Sequence, residues 1–149
     1  MDLIDLLALF LIVKGVFIMD VTNLMIRKFN IKELGYDFMG YSLQKNSVLT
    51  FHHLIIPNRL GGHRTLDNGA ILCGDTAHTY LHLIELINEK VFKLITEEMI
   101  DMNIKRELSI VNLKRINEIL CEFEKANWDK RNSKDEFIIK EKYKIRMFN

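Results

Sequence analysis

Residues 50–85 read TFHHLIIPNRLGGHRTLDNGAILCGDTAHTYLHLIE and hold all five histidines of a 149-residue chain. The local pattern changes three times within them. Residues 49–56 (LTFHHLII) are β-branched and aromatic and stop at Pro57, the single proline, which predicts a strand. A loop follows over residues 58–68, with Gly61 and Gly62 as its turn signal. Residues 69–73 (GAILC) predict a short buried strand. A helix is then expected to about Asn88, with Ala77, Leu81, Ile84 and Ile87 along its apolar stripe. Asp75 or Thr76 is the expected cap, because a side-chain oxygen there can accept from an orphan amide. Two short strands and a helix in so few residues place the chain in the α+β class.

The flanking residues read as additional helices. Residues 22–34 put Leu24, Met25, Phe29 and Leu34 on one helical face, stopped by Gly35. Residues 40–48 are loop and carry Lys45. Residues 89–102 (Val91, Phe92, Ile95, Met99) and residues 110–127 (Leu113, Ile116, Ile119, Leu120, Phe123) are amphipathic helices. Hydrophobic residues make up 48% and charged residues 28%, which excludes a disordered chain and gives one domain of ordinary size with a core of its own. The net charge of +1 gives no global signal for nucleic acid, but charge is segregated. Residues 27–64 and 125–149 are basic, and residues 85–101 are acidic.

Cys73 and Cys121 form no C-x-x-C pair, which excludes a zinc knuckle or redox pair. Both lie in apolar contexts and are expected as buried reduced thiols, suited to a cytoplasmic protein. Residues 3–18 are strongly apolar and predict a helix, but they fall short of the roughly 20 residues that span a bilayer. Three readings stay open for residues 1–18: a buried or partner-facing helix, a membrane-associated segment, or an upstream extension with Met19 as the start. Residues 19–149 are then the single domain, with its core over 49–88 and helices and a basic tail over 89–149.

The histidine spacing carries chemistry. His78 and His82 are one helical turn apart and share a face, so both can address one metal ion. His52 and His53 are neighbours on a strand and point to opposite sides. One of them can complete a three-nitrogen site, which leaves positions open for water or substrate in the manner of a catalytic metal. The other is then a nearby imidazole able to act as general base at neutral pH.

Taken together, His52-His53-Leu54-Ile55-Ile56-Pro57, Gly61-Gly62, Asn68-Gly69-Ala70-Ile71-Leu72-Cys73, His78 and His82 resemble the HNH endonuclease family of ββα-metal (His-Me finger) nucleases, over about 36 residues. The resemblance implies a core of two short antiparallel strands and a helix, embedded in further helices. It implies His52, His78 and His82 as metal ligands in an all-histidine variant, His53 as general base and Asn68 as the residue that holds the base in place. It implies one divalent ion. Imidazole ligands suit Zn or Ni, while availability favours Mg or Mn. No organic cofactor is expected.

The implied activity is hydrolysis of phosphodiester bonds in double-stranded DNA, in the setting of a phage, a mobile element or host defence. A ribonuclease or toxin effector on the same core, and a non-catalytic metal- and nucleic-acid-binding module, are the alternatives. Arg59 and Arg64 in the loop can fork a phosphate. His63 and Lys45 are further candidate nucleic-acid contacts. Trp128 and Tyr143 in the tail are expected in core packing ahead of base stacking. The chain departs from many relatives in lacking paired C-x-x-C motifs, so its own packing must hold the core.

Overall fold

The computed structural model describes residues 2–6, 20–127, 143 and 146. Residues 3–6 are helical; the rest of the apolar helix expected over 3–18 lies outside the described residues, as does Trp128. Asp5 is buried and bonded to Lys28 Nζ at 3.2 Å, which ties this first turn to the domain. No helix among the described residues is long and apolar enough to cross a membrane.

Helix α1 (Val21–Lys28) is capped by Asp20, whose carboxylate accepts from Asn23 N. The single helix expected over 22–34 is broken. Asn30 takes a left-handed φ of 53°, and a second short helix, α2 (Ile31–Leu34), leaves at a new angle and ends on left-handed Gly35. The break puts Ile31 in the core and turns Leu34 outward, against the expected common face. The loop beyond is held by Asp37. Its carboxylate accepts from Met39 N, Tyr41 N and Cys73 N, all at 2.8–2.9 Å, so it joins the loop to the sheet.

Strand β1 (Leu49–His53) pairs antiparallel with β2 (Gly69–Cys73), in a register that sets Thr50 opposite Leu72 and His52 opposite Ala70. The observed β1 is shorter than the expected 49–56. The amides of Ile55 and Ile56 turn away from the ladder and bond to Asn68 Oδ1 at 2.8 and 2.9 Å. The intervening loop contains two 3-10 turns, Asn58–Leu60 and Leu66–Asn68. All five residues of β2 are buried.

A π-helical turn (Gly74–His78) then runs into α3 (Thr79–Ile87), α4 (Glu89–Lys105) and α5 (Ile110–Asn127). Neither Asp75 nor Thr76 caps this helix, because the wide turn begins directly off β2 at Cys73 without a side-chain cap. Helix α4 packs on both α3 and α5 and lies against β2. The core joins Met25, Phe29, Ile31, Phe38 and Tyr41 to Ile71, Leu72, Tyr80, Leu81, Ile84, Ile95, Met99, Leu113, Ile116 and Leu120. Ile87, expected in the apolar stripe, is exposed at the helix end, and Tyr80 takes an inner position instead. Cys73 is buried as expected, but Cys121 lies on the outer side of α5 and is exposed.

Candidate metal centre

Strand alternation divides the four motif histidines. Thr50 and His52 share the face of β1 that meets α3, while Phe51 and His53 turn the other way, their rings in an edge-to-face contact at 4.9 Å. Helix α3 and the turn before it bring His78 and His82 over His52. The three ring centroids lie 5.0–5.3 Å apart. One ring nitrogen from each falls within 4.8 Å of the others. The closest pair, His52 Nδ1 and His78 Nε2, is 3.3 Å apart. Zn–N bonds of roughly 2.0–2.1 Å at tetrahedral angles set ligand nitrogens about 3.3–3.4 Å apart.

The donor set therefore fits a divalent ion, and His52 strengthens the fit. It is 4% exposed, and its Nε2 is buried without a partner. Whichever nitrogen carries the proton, Nε2 stays without a partner, the kind of deficit that a bound cation relieves. Burial, then the neighbouring His78 and His82, push the His52 pKa down to about 3. Burial and His82 push His78 down to about 4. Both rings are neutral at physiological pH, as metal ligands must be.

His53 sits at the edge of the same cleft, a space of about 610 Å³ between the end of β1, the loop after it, α3 and α4. Its pKa is lowered by burial and by the charge of Arg64, opposed by a hydrogen bond with the Gly62 backbone. Asn68 uses every bond that it can make. Its Oδ1 accepts from Ile55 N and Ile56 N, and its Nδ2 donates to Ile56 O at 3.0 Å and His63 O at 3.2 Å. It closes the loop that runs over His53. Gly62 is required there by close approach, since a Cβ would come within 1.9 Å of Ile56 O.

The remaining sequence candidates separate. Arg59 lines the cleft, and Arg64 is near enough for its charge to act on His53. His63 is exposed and contributes its carbonyl to Asn68 rather than its ring. Lys45 is exposed on the loop before β1 and does not line the cleft, because that loop is drawn toward the far end of β2.

Two residues that the sequence reading passed over touch the candidate ligands. Thr50 Oγ1 lies 2.7 Å from His78 Nδ1, and Glu85 Oε1 lies 3.4 Å from His82 Nδ1. Their only sequence signal is spacing: Thr50 is two before His52 on a strand, and Glu85 is three after His82 on a helix. Comparison with family models, curated proteins and solved structures finds no match to the chain.

Proposed function

We propose that the chain is a metal-dependent endonuclease of the HNH type that hydrolyses phosphodiester bonds in DNA. The observation that supports it best is the division of labour across β1. His52, His78 and His82 converge on one point, while His53 faces the same cleft from the other side of the strand without joining them.

A divalent ion held by His52, His78 and His82 would act as a Lewis acid that stabilises negative charge developing on the scissile phosphate. Everything else falls to side chains. His53 lines the cleft, and its Nε2 is buried without a hydrogen-bond partner; with the ring proton on Nδ1, Nε2 is the atom that takes the proton from the attacking water. Asn68 fixes the loop beside that ring. Arg59 and Arg64 hold the phosphate ester from the loop side, where a guanidinium fork matches two phosphate oxygens. The opposite wall carries Lys93 with Glu85 and Glu97, so the cationic grip is one-sided.

The test is cleavage of supercoiled plasmid, single-stranded DNA and structured RNA by the purified chain, across Mg, Mn, Ni and Zn, with EDTA as control. Metal-dependent nicking is expected, and His53→Ala should lower its rate by about 10²–10⁴-fold, the usual worth of a general base, while metal binding is retained. Absence of cleavage by the wild-type chain with every ion would leave a binding module. Cleavage of RNA alone would replace DNA as the substrate.

A further inference from the structure

We infer that Thr50, with Glu85 in a lesser role, is a positioning residue that commits the helix histidines to one tautomer, each presenting Nε2 to the ion. The inference rests on the metal reading above and goes beyond it, since it concerns side chains outside the ligand set.

Proton counting carries the argument. The Thr50 hydroxyl has one proton, and it bonds to Leu72 O at 3.0 Å. A carbonyl can only accept, so the hydroxyl donates there. Toward His78 Nδ1, at 2.7 Å, the same oxygen is then an acceptor, and Nδ1 must carry the imidazole proton. His78 Nε2 is left as a bare lone pair, and this is the atom 3.3 Å from His52 Nδ1. Leu72 lies opposite Thr50 in the ladder, so the antiparallel register supplies the carbonyl that fixes the hydroxyl. A Cβ on Gly74 would stand 3.1 Å from the Thr50 methyl group, so the helix start lies close against this side chain. Glu85 acts on His82 in the same sense. A carboxylate accepts, so His82 Nδ1 donates and Nε2 is freed. The His82 side chain is 53% exposed and its bond to Glu85 is long, so the constraint is weaker.

Two measurements decide it. Long-range ¹H–¹⁵N NMR of the metal-free chain near pH 7.5 reads the His78 tautomer, and a proton on Nδ1 is expected; a proton on Nε2 overturns the inference. Zn affinity, measured by competition with a chromogenic chelator, should fall about 10–100-fold in Thr50→Val, the usual cost of losing an outer-shell partner. Thr50→Ser, which keeps the hydroxyl, should stay near wild type. Glu85→Ala should lose less than Thr50→Val, and Glu85→Gln, which still accepts, should lose least. Wild-type Zn affinity in folded Thr50→Val overturns the inference while the metal site stands. If the wild-type chain binds no Zn, the metal reading itself fails. Should Thr50→Val not fold, the tautomer in the wild type and in Thr50→Ser still decides.

Discussion

Asn68 shows how much one side chain contributes when its whole bonding capacity is used. Two amides and two carbonyls meet it, and no other residue type offers two acceptor sites and two donors in that shape. Asn68→Asp keeps the acceptors but turns a carboxylate toward Ile56 O and His63 O. It should destabilise the fold by about 1–3 kcal/mol in urea melts, the cost of unmade buried hydrogen bonds, and it should abolish nicking. Asp37 is a buried carboxyl of comparable consequence. Burial raises its pKa from 3.8 to about 6, against three backbone amides that hold it down. The folded state thus binds this proton more tightly than the unfolded chain does. The stability so gained is complete below pH 3.8 and is lost as pH rises through 6. The stability of wild type minus that of Asp37→Asn should therefore fall by on the order of 3 kcal/mol across this window, measured by urea melts at each pH. Burial first, and Asp37 second, also push the Cys73 thiol up, so it remains protonated and inert.

At the scale of elements, the two strands and the turn into α3 form the site, and close contacts set their geometry. A Cβ on Gly69 would stand 2.1 Å from the Phe51 ring, which itself lies edge-on to His53. Gly69→Ala must move Phe51, and with it His53, the proposed base. Overpacking of this kind costs roughly 1–3 kcal/mol, and the loss of nicking should exceed what thermal melting of the variant accounts for. An unchanged rate would separate the Phe51–His53 contact from catalysis. The sequence located these elements well where the signal was local. Residues 69–73 and 110–127 match the observed β2 and α5, and α4 starts where expected but runs on to Lys105. It erred where a distant partner intervened. Residues 54–56 have strand propensity, but Asn68 claims two of their amides. The π turn replaces the expected side-chain cap, and such turns recur at functional sites.

Across the whole molecule, the basic tail is tied to the core at two described positions. The Tyr143 ring stacks on Tyr80 at 4.3 Å with planes 4° apart, as the expectation of core packing held. Arg146 bonds to both carboxylate oxygens of Glu124, which also accepts from the Tyr80 hydroxyl. Both members of the ion pair are buried. Arg146→Met leaves the Glu124 carboxylate without its cation and should cost roughly 3–5 kcal/mol, whereas the double change with Glu124→Leu should recover most of that; chemical denaturation of the two variants checks it.

The order of the elements, the apolar faces of α4 and α5, and the spacing of four histidines are properties of the sequence alone, because helix and strand periods are local. The spacing made His78 and His82 a pair on one face, and separated His52 from His53. It could not say which face of β1 the helix covers. Tertiary packing decided that His52 joins His78 and His82 while His53 turns to the other side of the strand. It also set Thr50 against His78, left Lys45 outside and brought Arg146 to Glu124. Each of these contacts joins residues distant in the chain, and a distant contact depends on how elements pack rather than on the residues within any one of them.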